Sequence, residues 1–405
     1  MTNSGEVGQE GESKHPGWQS LATVLNTTEP FFGEVFFLPG YEFSSNIYVI
    51  AGDYLTIVDA GNDYTAFIDL WQLGFKPADV KKIVLTHGHR DHAMGVFELL
   101  RSYPSLIESG GFELILHEAA PPELKGVVQQ FGFRVTEVRG GETLDLSGFE
   151  WEVIHTPGHT IDGICLYHAP TKTAFTGDMV LPHAMGEPDE HAGGRLDHYS
   201  FGLKALLKRE IENVLPGHGL PVAPGGREVV EETYEALLMK IIGVETPLPW
   251  IEGAMALAQR GLLEEAVFCC DKEMARDPQD MRTLELKALC LNDLGRFHEA
   301  LEALDKLGEL RSPESNDPFM AIGKGYALMG LEKYNESIEF FDEALRIKPG
   351  MKDAQVYKGM ALYLAGKYDE AMEIEHFRTE FVGKFKDEML KMKPSNEGDP
   401  GPGQG

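Results

Sequence analysis

From residue 34 to residue 219 the chain repeats one pattern: a short apolar run, a turn rich in glycine or aspartate, then a segment whose apolar residues recur every three or four positions. EVFFLPG, NIYVIAG, YLTIVDAG, KKIVLTHG, FELILHE, FEWEVIHTPGH, GICLYHA, TKTAFTGD and ENVLPGHG read as strands. They are rich in β-branched and aromatic residues and are closed by turn formers. AFIDLWQLGF, AMGVFELLRSY, PELKGVVQQFGF and YSFGLKALLKREI carry the helical period instead. Strands alternating with amphipathic helices predict an α/β layered domain.

Past residue 246 the strand signal stops and a longer period takes over. RGLLEEAVFCCDKEMARDP, LGRFHEALEALDKL, LEKYNESIEFFDEALRIKP and AGKYDEAMEIEHF align on one small residue each, Ala266, Ala300, Ser337 and Ala371, at intervals of 34, 37 and 34. That spacing, with two helical segments per unit, is the spacing of tetratricopeptide repeats, and the four units resemble that family. Gly325 and Gly359 permit close helix packing, Phe297, Tyr334 and Tyr368 open the second helix, and Pro278 and Pro349 end units. The three extra residues fall in SPESNDP, a loop, and the fourth unit degenerates after Ala371 as a capping end does. One unit cannot bury its own apolar face, so about three are needed to hold a stack together. Four units predict an all-α helical solenoid. The stretch TPLPW, where two prolines interrupt a helical pattern, sets the boundary: 17–245 for the α/β domain and 246–393 for the repeats. Polar, Gly-rich stretches at 1–16 and 394–405 read as loose tails.

At 405 residues the chain exceeds one ordinary core, and 42% apolar with 25% charged residues are the proportions of a globular protein. A formal net charge of -29 repels polyanions, because binding to a phosphate backbone runs on Lys and Arg displacing counterions. Nucleic acid is thereby disfavoured as a partner. Four cysteines, with Cys269 and Cys270 adjacent in a helical segment, form no disulfide framework and fit a reducing compartment. The N-terminal stretch has neither a basic nor an apolar block, and no apolar run reaches the roughly 18 residues that span a bilayer. The expectation is a cytoplasmic protein without membrane contact.

The chemistry is concentrated in THGHRDHAMG, residues 86–95, directly after the run KKIVL. His87 and His89, two apart on a loop leaving a strand, can point to a common side and suit one cation, while Asp91 and His92 face a second. Three later turns, each flanked by glycine and preceded by a strand, add His159 in WEVIHTPGHT, Asp178 in TAFTGDMV and His218 in ENVLPGHG. Imidazole nitrogens and carboxylate oxygens suit zinc and also iron or manganese. His15, His117, His155, His168, His298 and His376 read as surface or core residues.

In that order, an HxHxDH motif followed by GH, GD and GHG turns, residues from about 30 to 240 resemble the metallo-β-lactamase fold superfamily, with all five of its metal-site motifs present. The resemblance implies an αββα sandwich carrying two divalent metal ions, zinc first, with iron or manganese as alternatives. It assigns His87, His89 and His159 to one ion and Asp91, His92 and His218 to the other, with Asp178 bridging both. VDAG, residues 58–61, matches the family's early motif, whose Asp59 supports the metal loop instead of binding metal. A water between two such ions loses a proton near neutral pH and becomes a hydroxide nucleophile. Asp91 has a second implied role, orienting that nucleophile or carrying a proton to the leaving group. Related hydrolases place a tyrosine in the segment after the aspartate turn, which marks Tyr199 as a substrate contact. His183, beside the metal turn, is a candidate of the same kind.

Departures from particular members narrow the chemistry. The commonest true β-lactamases use a Cys ligand and lack the histidine after Asp91, whereas His92 and Asp178 follow glyoxalase II, lactonases and nuclease-like members. His89 stands where flavodiiron oxidoreductases carry Glu, and repeats stand where they carry a flavodoxin domain. Only 39 residues separate Asp178 from His218, too few for the cap domain of dedicated RNA-processing members. The repeats show no clear counterpart of the basic glutathione contacts of glyoxalase II. The resemblance therefore implies hydrolysis of a small ester-type substrate, a thioester or lactone. Phosphodiester or RNA hydrolysis is the enzymatic alternative, and an interaction protein with a secondary hydrolase domain is the third. The repeats imply a protein partner or self-association.

Overall fold

The computed structural model describes residues 17–391 apart from 42, 63–64, 109–110, 245–247 and 313–316, and each of the nine apolar runs becomes a strand in it. The expected tails, the boundary between 245 and 246, and most of the SPESNDP loop lie outside the described residues. One sheet runs in the order β1 (Gln19–Ser20), β2 (Val35–Leu38), β3 (Ile47–Ala51), β4 (Leu55–Val58), β5 (Val80–Val84), β6 (Glu113–His117), β7 (Arg134–Val138). It is antiparallel up to β4 and parallel from β4 to β7. The other runs β12 (Asn213–Pro216), β11 (Thr173–Gly177), β10 (Ile164–His168), β9 (Phe149–His155), β8 (Thr143–Leu146). Only β11 and β12 pair in parallel there.

The two sheets close on a shared apolar layer. Val35, Phe37, Tyr48, Ile50, Val58 and Val84 from the first meet Trp151, Val153, Leu166, Phe175 and Leu215 from the second. Alternate residues of the first sheet, among them Val49, Ile57, Ile83 and Leu114, pack outward. They meet Phe67 and Leu70 of α3 (Thr65–Gln72), Val96 and Leu99 of α4 (Arg90–Ser102), and Leu124 of α6 (Pro122–Gln130). Burial on both faces is why these strands read as unbroken apolar runs. Each fully buried large side chain adds about 1.5–3 kcal/mol of transfer free energy. On the second sheet, α7 (Leu196–Leu207) packs against β9, and Arg209 just past its end pairs with Glu152, on the face opposite Trp151. Helix α8 (Gly226–Ile242) follows β12. The short helices α1 (Leu21–Val24), α2 (Pro30–Gly33) and α5 (Ser105–Glu108) complete this half.

Strands β1, β7 and β8 were not expected from the sequence, and all three lie at sheet edges. Most of their residues are exposed or half-buried, so polar side chains interrupt them and no apolar run develops. In β7, Arg134 pairs with Glu113 and Glu137 with Lys125.

The chain divides into two compact units, one ending at Ile241 and the other starting at Ile242. The second contains α9 (Trp250–Gln259), α10 (Leu263–Arg276), α11 (Met281–Asp293), α12 (Phe297–Leu310), α13 (Phe319–Gly330), α14 (Tyr334–Ile347), α15 (Lys352–Leu364), α16 (Tyr368–Glu373) and α17 (Glu375–Lys391). Ala266, Ala300, Ser337 and Ala371 each stand fourth in the second helix of their pair, and each is fully buried. A larger side chain there would collide with the neighbouring helix. Phe297, Tyr334 and Tyr368 do begin those helices, and a Cβ on Gly325 would lie 2.7 Å from Phe341 Cε1. The fourth pair departs from the pattern where expected, with α16 ending at Glu373. Among the described residues no helix is long and apolar enough to cross a membrane.

Candidate metal centre

Every residue of the seven-member set leaves a strand or opens a helix at one end of the sandwich. Parallel β4 and β5 release Asp59 and the 85–89 loop together, and His89 caps α4, whose first turn carries Asp91 and His92. Strands β9, β11 and β12 point the same way and release His159, Asp178 and His218. Main-chain bonds hold the loops together: Asn46 N–H donates to Gly217 O at 2.7 Å, and Gly217 N–H to Gly177 O at 2.8 Å. A side chain at position 217 would fall on Asp178 Oδ1 and His92 Cε1, so only glycine lets the GHG turn approach this closely. His87, His89 and His159 bring one ligand atom each within 4.8 Å of one another, as do His87, His92 and Asp178, and also Asp91, His92 and His218.

The outer hydrogen-bond partners fix which ring nitrogen faces inward. His159 Nδ1 lies 2.6 Å from Glu187 O, which only accepts, so Nδ1 holds the hydrogen and Nε2 is a lone pair. His89 Nε2 donates likewise to Asp189 Oδ2 at 3.1 Å, leaving Nδ1 free of hydrogen. The Thr86 hydroxyl gives its one hydrogen to Asp59 Oδ2 at 2.8 Å and so accepts from His87 Nδ1 at 3.2 Å. The His87 lone pair is therefore on Nε2. These three lone pairs face one another, with His89 Nδ1 3.0 Å from His87 Nε2 and 3.1 Å from His159 Nε2. His92 donates from Nδ1 to Asp59 Oδ2 at 2.8 Å, which turns its Nε2 inward too. Converging lone pairs repel unless a cation lies among them.

The carboxylates around the cluster favour positive charge at its centre, whether a proton or a metal ion supplies it. Burial alone would lower the pKa of His92, but the Asp59 and Asp178 carboxylates outweigh it and raise the pKa well above the usual value. Burial likewise opposes ionisation of Asp178, and the His92, His87 and His218 rings overcome it, holding the carboxyl far below its ordinary range. Buried His92 Nε2 and Asp178 Oδ1 are 3.4 Å apart yet lack the alignment of a hydrogen bond, so both are unsatisfied. Two buried polar atoms in that condition fit a metal ligand pair. The Asp91 carboxylate completes the group, 3.0 Å from His218 Nε2.

A family model described as the metallo-beta-lactamase superfamily matches residues 40–218. An uncharacterised protein of Mycobacterium leprae is 30% identical over 173 residues, which cover 38% of this chain and 76% of that protein. The chain belongs to the metallo-beta-lactamase superfamily. An atrochrysone carboxyl ACP thioesterase of Paecilomyces divaricatus is 27% identical over 186 residues, 45% of this chain and 52% of that protein. The chain thus spans about half the length of this curated relative. A metallo-beta-lactamase family protein from Thermus thermophilus overlays with a TM-score of 0.41 at 22% identity, covering 55% of this chain and 87% of its own. Two further models, anaphase-promoting complex subunit 3 and tetratricopeptide repeat, match residues 259–344 and 322–375. The superfamily fold implies divalent metal ions, and the lone-pair cluster is where this member can hold them.

Tyr199 corrects one expectation. It is fully buried, and its hydroxyl donates to Met179 O at 2.7 Å, so it braces the turn after Asp178 and does not face a substrate. Burial raises its pKa far above that of an ordinary tyrosine. Tyr199→Phe should cost about 1 kcal/mol in urea unfolding, the worth of one hydrogen bond, and leave metal content and turnover unchanged. His183 is exposed and lines a cavity of about 140 Å³ with Leu181, Met185 and Glu232, and it makes no hydrogen bond to the cluster among the described residues. His117 and His155 stack on each other 4.1 Å apart, and His168 lies against Phe31, as core residues do.

Apart from Asp59, the residues that brace the ligands were missed by sequence reasoning. Asn46 donates from Nδ2 to Pro216 O at 2.9 Å and Gly219 O at 2.7 Å, holding the turn that carries His218. Glu187 and Asp189 fix two histidines, yet GEPDEHAGG has no motif to announce them.

Proposed function

We propose that the chain is a metal-dependent hydrolase of thioesters whose repeat unit binds a protein partner or a second copy of the chain. The observation that carries the reading is the set of four imidazoles whose outer partners turn their lone pairs onto one cluster. Thioesters are preferred among ester-type substrates because curated relatives over this region bear the name thioesterase. All four cysteines are buried thiols, which supports a reducing compartment such as the cytoplasm.

When bound, two divalent cations would supply a water acidified towards neutral pH and positive charge beside the substrate carbonyl oxygen. His87, His89 and His159 would hold one, and Asp91, His92 and His218 the other. Asp178 reaches both groups, its Oδ2 lying 3.6 Å from His159 Nε2 and 3.5 Å from His218 Nε2. Asp178 is nearly enclosed, whereas the Asp91 side chain keeps 30% of its surface open. Asp91 is thus the carboxylate of the set that a substrate can approach, and it would carry the proton lost by the attacking water to the leaving sulfur. The products balance as a carboxylic acid and a thiol.

Zinc, iron(II) and manganese should each be loaded into the purified full chain, followed by assays of thiol release from acyl thioesters, lactone opening and bis(p-nitrophenyl) phosphate cleavage. Thiol release that requires metal is the expected result. Phosphodiester cleavage without thioester or lactone turnover would replace this reading with the phosphodiesterase one.

A further inference from the structure

We propose that Asp189 is a positioning residue for the metal centre, holding the His89 ring so that Nδ1 faces the cluster. The inference rests on the proposed metal centre and goes beyond its ligand set. Asp189 lies 100 residues from His89 in sequence, and its two carboxylate oxygens are divided between two tasks. Oδ1 accepts from the backbone N–H groups of His191 at 2.9 Å and Ala192 at 3.3 Å, capping its own turn. That anchoring leaves Oδ2 aimed at His89 Nε2, 3.1 Å away. The backbone at 189 is tied down as well, its N–H donating to His159 O at 2.8 Å and its carbonyl accepting from Gly194 N–H at 2.7 Å.

His89 needs such a partner more than His92 does. His92 is fully enclosed and cannot turn, whereas the His89 side chain keeps 26% of its surface open to solvent. A half-exposed imidazole with no outer acceptor exchanges tautomers and rotates, and a turned ring would present the wrong nitrogen to the ion. The segment that begins with Asp178 therefore does three things for the centre. It supplies the shared carboxylate, it fixes His159 through Glu187 O, and it fixes His89 through Asp189.

Zinc affinity measured by competition with a chromophoric chelator, on the full chain, separates positioning from simple loop support. Asp189→Ser keeps a side-chain oxygen to cap the 190–192 turn but is too short to reach His89. Asp189→Asn keeps the cap through its one carbonyl oxygen but turns an NH2 donor, not an acceptor, towards His89 Nε2. Serine should weaken binding of one zinc ion by about 10- to 100-fold, the usual effect of removing a ligand's outer partner, and asparagine, which keeps the turn capped, by at least as much. Cobalt(II) loaded into the serine variant should show altered visible bands, reporting a changed ligand field. Wild-type affinity in either the serine or the asparagine variant overturns the proposal. A wild-type chain that binds no zinc, iron or manganese overturns the metal centre and this role with it. Two ions in the wild type with an unaltered serine variant overturns only the role of Asp189.

Discussion

Asp178→Ala should abolish measurable turnover, lowering kcat/KM for thioesters by about 1,000-fold or more and reducing the metal content of the purified chain. The expectation follows from position. One carboxylate faces His92 at 3.4 Å, His159 at 3.6 Å and His218 at 3.5 Å, joining both halves of the cluster. Its removal leaves the rings with one negative charge fewer to offset a cation. Transition-state charge stabilisation by metal is worth several kcal/mol, and about 1.4 kcal/mol is a factor of ten in rate. Asp178→Asn keeps the shape while deleting the charge and should be nearly as inactive. Elemental analysis and thiol-release kinetics give the answer together, and a variant retaining two ions with wild-type turnover would remove Asp178 from the mechanism.

The largest expected effect on stability belongs to Asp59→Ala. Asp59 is only 2% exposed, and its carboxylate accepts three bonds at 2.8 Å, from Thr86 N–H, the Thr86 hydroxyl and His92 Nδ1. Alanine would strand a buried imidazole and two buried donors at once. Breaking one partner of a buried charged pair costs about 3–5 kcal/mol. At about 2–4 °C per kcal/mol for a unit of this size, the hydrolase unit should melt roughly 10 °C lower. The repeat unit has its own core and should melt as before. Calorimetry in excess chelator separates this loss from any loss of metal, and a shift of only a degree or two would mean that Asp59 is not structurally required.

The seven candidate ligands were legible in the sequence because chemistry and folding use the same signals there. A buried strand needs an apolar run, a tight exit needs glycine, and His159, Asp178 and His218 sit in that exit. The repeats were legible for a similar reason, since one interior position per pair admits only Ala or Ser. Contacts made across the fold left no such mark. Asp189 meets His89 across 100 residues and Asn46 meets Pro216 across 170, so neither partner is coded near the other. Tyr199 shows the complementary failure: its place in α7 was visible, but which way that helix faces depends on β9 and the turn after Asp178. Edge strands β7 and β8 escaped because half of each faces water.

Those same margins bear on how the protein behaves when crowded. A sheet whose last strand offers free amides invites a neighbour to zip on and begin a ribbon. Here the open border of the larger sheet is fenced by Arg134, 75% exposed, and by the Lys125–Glu137 pair at 2.7 Å. An incoming strand would have to strip water from fixed charges before gaining a single main-chain bond.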